Sequence, residues 1–113
     1  MLTETELHSL VDKIVQCMQP DKVIIFGSYA KGTASHKSDL DILIVKDTHL
    51  PMINRNNKVK SLVNNLIIPV DIHVYTPEEV EVYGSEEYSF IHSVLKTGKV
   101  MYQKGLSPLT DSY

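Results

Sequence analysis

The sequence predicts an α/β domain in which a small mixed sheet of three to four strands is flanked by helices. Three short runs, residues 23–26, 40–45 and 70–75, are rich in β-branched residues and have the apolar character of buried strands. Segments with helical periodicity separate these runs, which is the pattern of a sheet covered by helices. A chain of 113 residues is long enough for one such core.

The first element is a helix over residues 3–18. Thr3 and Glu6 form a capping-box pattern at its start, and Pro20 ends it. Its apolar residues recur at steps of three and four and therefore share one face: Leu7, Leu10, Val11, Ile14 and Met18. This face is expected to cover the sheet.

The middle of the chain alternates strands with helices. After the strand 23–26, residues 28–31 predict a short helix that ends at Gly32. A polar loop leads to the strand 40–45, and a helix is predicted over residues 51–66. Pro69 then breaks the chain before the third strand.

The last third of the chain begins with a strong helix start. Thr76 is a capping residue, Pro77 occupies the first helical position, and acidic residues follow in the first turn. A further helix is predicted over residues 86–96, and an edge strand over 100–102. We expect residues 1–103 to form a single domain and residues 104–113, rich in Ser, Pro, Thr and Gly, to form a flexible tail.

Composition excludes several classes of protein. Eleven basic and 14 acidic residues give a net charge of -3, which disfavours stable binding to nucleic acid through phosphate charge. A single cysteine excludes an internal disulfide framework. No apolar run approaches the roughly 20 residues of a membrane span, and the acidic N-terminus lacks a signal-peptide pattern. We therefore expect a cytoplasmic protein.

Gly27 and Ser28 stand where the first buried strand meets a helix. The first N–H groups of a helix lack intrahelical partners and carry partial positive charge, so this position suits an anion such as a phosphate. Gly27 would let a phosphate approach the backbone, and the Ser28 hydroxyl would add a donor. A plain helix cap is compatible with the same residues.

Three carboxylates stand at or near the beginnings of two predicted strands. Asp39 and Asp41 are two residues apart, so a strand places them on one face. Asp71 lies in an otherwise apolar strand, so either a cation or proton partner lies beside it or it stands at the exposed end of the strand. Hard oxygen ligands of this kind suit Mg²⁺ or Mn²⁺. Together with an anion site, they predict metal-assisted transfer of a phosphorus group.

Gly27-Ser28, a gap of ten residues and Asp39-Leu40-Asp41 resemble the signature of minimal nucleotidyltransferases, the MNT group of the polymerase-β-like superfamily. The resemblance runs from about residue 23 to residue 74, and Asp71 stands where that family has its third carboxylate. It implies the polymerase-β-like nucleotidyltransferase fold for the predicted sheet.

The resemblance implies a nucleotide-binding role for three residues. Gly27 and Ser28 would hold the triphosphate, and Lys31 would assist a phosphate at a position where the family commonly has arginine. Lysine cannot make the bidentate fork of arginine, so the role of residue 31 stays open. The usual donor in this family is ATP, with pyrophosphate as the leaving group.

The resemblance also implies that Asp39, Asp41 and Asp71 are the catalytic, metal-binding residues. They would hold two magnesium ions, with manganese as the alternative. Asp71 would complete one metal site and help to deprotonate an attacking hydroxyl. The roles of His73, Tyr29 and the acidic stretch 78–87 are left open by the pattern.

Small members of this family often act as antitoxins beside a HEPN-domain toxin and transfer AMP to one of its tyrosines. The resemblance therefore implies a protein adenylyltransferase with a HEPN toxin as partner. Two alternatives remain open: transfer of a nucleotide to a small molecule such as an aminoglycoside, and a non-catalytic antitoxin that acts by binding alone. The oligomeric state, a homo-oligomer or a hetero-oligomer with the toxin, is open as well.

Overall fold

The computed structural model describes residues 2–105 and arranges them as a four-stranded mixed sheet with helices on both faces. The strands are β1 (Lys22–Phe26), β2 (Leu40–Val45), β3 (Val70–Tyr75) and β4 (Lys99–Gln103). The α-helices are α1 (Glu4–Met18), α2 (Ser28–Lys31), α3 (Asn57–Val63), α4 (Pro77–Gly84) and α5 (Phe90–Thr97).

The strand order is β3-β2-β1-β4, so β1 and β2 are interior and β3 and β4 are edges. β1 pairs antiparallel with both β2 and β4, whereas β2 and β3 run parallel. The predicted mixed sheet is confirmed, and so is the edge strand expected at residues 100–102. Because β2 and β3 are parallel, their first residues meet at the same end of the sheet.

Apolar side chains cover both faces of the sheet. Val23, Ile25 and Ile42 belong to the larger core, which also contains the buried stripe of α1 and Val59 of α3. Alternate residues of the same strands, among them Ile24 and Leu43, point to the other face. There they pack with the buried side of α5. This second face is the one that also carries Asp41 and Asp71.

The first helix forms as predicted. Thr3 caps it, and the reciprocal hydrogen bonds with Glu6 complete the capping box. All five residues of the predicted apolar stripe are buried. The helix ends at Gln19, which adopts a left-handed conformation with φ 48°, one residue before Pro20.

The predicted helix over residues 51–66 is wrong as a continuous element. The structure has a 3-10 turn at Met52–Asn54 and then the shorter α3. Between the two, Asn56 departs from helical geometry with φ -97° and ψ 7°, and the preceding Arg55 has a side chain that bonds outside the segment. Its Nε donates to the Leu50 carbonyl at 2.9 Å, and its guanidinium forms an ion pair with Glu79.

The helix predicted over residues 86–96 begins later, at Phe90. Ser89 caps it by accepting a hydrogen bond from the His92 N–H at 3.0 Å. Ser89 also donates to the carbonyl of Tyr83 at 2.5 Å, which holds the preceding residues in a turn between α4 and α5. The predicted helix start at Thr76 and Pro77 is confirmed.

The predicted division into a domain of residues 1–103 and a tail of 104–113 remains a prediction. The last described strand ends at Gln103, and the Lys104 N–H donates to the Asp21 carbonyl at 2.8 Å. Residues 106–113, most of the predicted tail, lie outside the described residues. Over residues 2–105, none of the helices has the length and apolar character needed to cross a bilayer.

The ion pair between Arg55 and Glu79 gives the fold a testable pH dependence. The hydrogen bond from Arg55 holds the pKa of Glu79 below its ordinary value, so the pair stabilises the fold above about pH 4.3 and this stability is lost as the pH falls. We expect Glu79→Gln to lower the free energy of unfolding by about 1–2 kcal/mol at neutral pH. The exposed neighbour Glu78→Gln is the control. Equal denaturation midpoints for the two variants would contradict this assignment.

Candidate active site

Asp41 and Asp71 stand side by side at the start of β2 and β3. They are direct partners in the parallel register, so their side chains leave the same face of the sheet. The pKa of Asp41 is raised by burial and then by the negative charges of Asp71 and Asp39, and a hydrogen bond with Asp71 raises it further. His73 opposes this rise through its charge. The two carboxylates therefore repel each other unless a proton or a cation lies between them.

Asp39 lies just before β2 and is exposed. Its charge reaches Asp41, but the three acids do not close into one preformed cluster. Across residues 2–105, no group of three or more His, Cys, Asp or Glu side chains is arranged to hold a metal ion. The structure thus brings Asp41 and Asp71 together and leaves Asp39 beside them at the entry to the strand.

Gly27 contacts Asp41. It follows the last residue of β1, Phe26, which is the register partner of Asp41. A Cβ atom built on Gly27 would overlap the Asp41 carboxylate oxygen Oδ2. The backbone of Gly27, with φ 73° and ψ -151°, also lies in a region that is essentially reserved for glycine. Glycine is required here because a carboxylate occupies the space of a side chain, a role that the sequence did not indicate.

The other predicted nucleotide-binding residues lie on α2, which follows Gly27 directly. Ser28 is its first residue and is half-buried, whereas Lys31 is its last residue and is exposed. The Gly27 carbonyl accepts hydrogen bonds from the N–H groups of Ala30 and Lys31 at 3.1 and 3.2 Å. Within the described part of the chain, Lys31 takes part in none of the ion pairs. Ser28 therefore directly follows the glycine that contacts Asp41, whereas Lys31 is exposed at the far end of α2.

Tyr29 turns towards the main core. Its ring packs with the buried cluster beneath α1, and its hydroxyl accepts a hydrogen bond from the Leu2 N–H at 3.0 Å. Of the roles that the sequence left open for this residue, the structure shows packing.

His73 lies on the acid-bearing face, two residues beyond Asp71 along β3. Its ring centroid is 5.9 Å from that of Phe26 and 5.0 Å from that of Phe90. The sequence did not indicate this group, because Phe90 reaches it only through the packing of α5 across the sheet. The acid pair therefore has an aromatic border on one side.

The carboxylates fit a divalent cation. Carboxylate oxygens are the ligands that Mg²⁺ and Mn²⁺ prefer. Burial raises the pKa of Asp41, and the charges of Asp71 and Asp39 raise it further, a repulsion that a cation would relieve. A cavity of about 630 Å³, lined by Lys46 and Lys58, lies at the opposite end of β2 and contains none of the three acids. At the start of the two strands Asp39 and Asp71 are exposed and Asp41 is half-buried, so the acids lie at the surface.

Comparison with known proteins gives a consistent result. The family model described as nucleotidyltransferase domain matches residues 8–98. A Methanocaldococcus jannaschii protein, named as a candidate protein adenylyltransferase, is 34% identical over 83 residues, covering 72% of this chain and 77% of that protein.

Two solved structures share the fold. A crystal structure of a candidate nucleotidyltransferase from Sulfolobus solfataricus has a TM-score of 0.60 at 22% identity, covering 87% of this chain and 78% of that chain. A chain of a toxin–antitoxin crystal structure with AMP-PNP has a TM-score of 0.58 at 21% identity, covering 92% of this chain and 77% of that chain.

The contact between Gly27 and Asp41 predicts a steric effect that a double mutant isolates. Gly27→Ala is expected to destabilise the fold more than Gly32→Ala. Gly32 also has a positive φ, of 74°, but no atom beyond its own chain neighbours lies within 4 Å of a Cβ built there. Gly32→Ala should cost only about 1–2 kcal/mol. Adding Asp41→Ala to Gly27→Ala should restore part of the difference in chemical denaturation. No recovery in the double mutant would mean that the carboxylate does not occupy this space.

Mutual repulsion of the acids predicts that a less charged site is more stable in the absence of metal. Because the pKa of Asp41 is raised, the ionised carboxylate lowers the free energy of unfolding above that pKa. This loss disappears once the carboxylate is protonated. In EDTA at pH 7, Asp41→Asn should gain about 0.2–1 kcal/mol, and the gain should vanish at acid pH. Thermal melts with Asp47→Asn as the exposed control measure this, and a fall in Tm at pH 7 would contradict it.

Proposed function

The chain belongs to the nucleotidyltransferase domain family, and we propose that it transfers AMP from ATP to a hydroxyl of a protein. The observation that carries this proposal is the pairing of Asp41 with Asp71 at the start of two parallel strands, with Gly27 against Asp41. The name of the Methanocaldococcus jannaschii relative, a candidate protein adenylyltransferase, supports adenylyl transfer. The AMP-PNP in the similar toxin–antitoxin structure agrees with ATP as the donor.

The acceptor we propose is a tyrosine on a HEPN toxin, which makes this chain the antitoxin of the pair. The resemblance of Gly27-Ser28 and Asp39-Leu40-Asp41 to the MNT signature implies this partner. The likeness to a chain of a toxin–antitoxin structure supports it. Acids that lie at the surface also suit a protein acceptor, because a protruding side chain can reach them without entering a cavity.

The three acids would hold the metal of the reaction. Asp39, Asp41 and Asp71 would bind Mg²⁺, or Mn²⁺ in its place, as a pair of ions that neutralise triphosphate charge and polarise the α-phosphorus. Ser28, half-buried after Gly27, would donate its hydroxyl hydrogen to a phosphate oxygen. Lys31 is exposed at the end of α2, and its ammonium group would add positive charge near the outgoing phosphates.

The chemical step forms one bond and breaks one. The tyrosine oxygen attacks the α-phosphorus, the bond from that phosphorus to the bridging oxygen breaks, and pyrophosphate leaves with the electron pair. The proton of the tyrosine hydroxyl passes to the carboxylate of Asp71, the more exposed member of the acid pair. The residues of the site act mainly by positioning the two substrates and by placing charge opposite the phosphates.

A co-expression experiment tests transfer directly. The chain is produced together with the product of the neighbouring gene, which this proposal expects to be a HEPN-domain protein, and the intact mass of that product is measured. We expect additions of whole AMP units with the unaltered chain. Asp41→Asn and Asp39→Asn should each reduce the rate about 100-fold or more, because charge stabilisation at the phosphates is lost.

Asp47→Asn is the matched control, since this exposed acid lies just beyond the other end of β2 and should leave transfer unchanged. Neutralisation of the toxin by the double variant of Asp39 and Asp41, without any added mass, would establish an antitoxin that acts by binding alone. Labelled AMP on an aminoglycoside and none on the toxin would establish a small-molecule acceptor.

A further inference from the structure

An exposed aromatic surface begins at the acid pair. Phe26 is the register partner of Asp41, and its ring centroid is 5.4 Å from that of Phe90. His73, on the same side of β3 as Asp71, lies 5.0 Å from Phe90. Phe90 is itself 42% exposed. The rings therefore form a continuous path from the two carboxylates to solvent.

Two tyrosines extend this surface over the turn between α4 and α5. Tyr83 is 42% exposed and packs edge-on against Tyr75 at 6.2 Å, and Tyr75 lies 6.5 Å from Phe90. Tyr88, in the turn, is 95% exposed. We call His73, Tyr83, Tyr88 and Phe90 the aromatic patch. Contiguous aromatic side chains left in water are typical of surfaces that bind a partner.

The turn that carries the patch is held by hydrogen bonds. Ser89 donates to the Tyr83 carbonyl and accepts from the His92 N–H. The ring Nδ1 of His92 bonds the Gly84 carbonyl at 2.9 Å. A Cβ atom at Gly84 would lie 2.8 Å from Leu95 Cδ1, so the two helices pack closely. A surface that is ordered before binding loses little entropy when a partner docks.

Two exposed glutamates, Glu86 and Glu87, lie in the turn that carries Tyr88. Residues 77–98 contain five glutamates and one lysine. Arg55 pairs with one of the glutamates, Glu79. Glu78 and Glu81 are exposed as well, but Glu81 lines a cavity with Lys22 and Val45 at the end of the sheet away from Asp41. Glu86 and Glu87 form the acidic rim of the patch, and a partner with basic residues complements it.

We propose that the aromatic patch docks the acceptor, a protein segment in which the modified tyrosine is flanked by lysine or arginine. This inference rests on the proposed adenylyl transfer and adds the surface that selects the acceptor. The tyrosine ring packs against Phe90 and His73, which directs its hydroxyl towards Asp41 and Asp71. The flanking cations lie against the exposed glutamates of the rim.

Synthetic peptides test this docking with the full chain, Mg²⁺ and labelled ATP. The probe is a peptide with one tyrosine between lysines, and the comparison peptide has glutamates in place of the lysines. We expect AMP transfer to the first peptide and a KM for the second that is at least about tenfold higher. The same KM for both peptides, or transfer to neither, would overturn the proposal.

Two variants separate the patch from the rest of the site. Phe90→Ser should raise the KM for the lysine peptide about fivefold, and Leu50→Ser, which is 50% exposed near the far end of the sheet, should not. The double variant Glu86→Gln with Glu87→Gln, in the exposed turn, should raise KM in low salt without changing the fold. Asp12→Asn with Asp47→Asn is its charge-matched control.

Calorimetric titration with ATP and Mg²⁺ distinguishes the two proposals. The patch variants should bind the nucleotide as tightly as the unaltered chain does. If the unaltered chain binds no nucleotide, both proposals fail. If nucleotide binding is intact and KM for the lysine peptide is the same in all variants, the docking surface alone is wrong.

Discussion

The parallel pairing of β2 with β3 is the constraint on which the candidate site depends. It sets Asp41 directly opposite Asp71, so two carboxylates emerge together from one face. The antiparallel pairing of β1 then brings Gly27 against Asp41, and only a residue without a side chain leaves room for that carboxylate. A shift of one residue in either register would turn an acid to the opposite face of the sheet.

The larger features of the fold could be predicted from local patterns. The stripe of α1, its capping box at Thr3 and the three apolar strands carry their own signals, and each is observed. The helix predicted over 51–66 is interrupted at Asn56, whose backbone leaves helical geometry, and the side chain of Arg55 beside it bonds Leu50 and Glu79, contacts that a periodic pattern does not indicate. The start of α5 failed for a related reason, since the capping role of Ser89 competes with continuation of a helix.

The candidate site likewise has features that the sequence predicted and features that it did not. The spacing of Asp39 and Asp41 and the position of Asp71 predicted convergent acids, and the structure brings Asp41 and Asp71 together while Asp39 stays exposed beside them. The sequence assigned Gly27 to phosphate approach alone, because the nearness of Asp41 follows from strand register. The contact of Phe90 with His73 depends on the angle at which a helix crosses the sheet, which no local pattern encodes.

The strand order has a consequence for the order in which parts of the molecule are lost on heating. Asp41 lies on an interior strand, whereas Asp71 lies on β3, an edge strand with hydrogen-bonded neighbours on one side only. Peripheral strands separate from a sheet at lower free energy than central ones do. Fraying of β3 would part the two carboxylates and withdraw Val74 from the core beneath α1, so activity would be lost on heating before α1 and the interior strands separate.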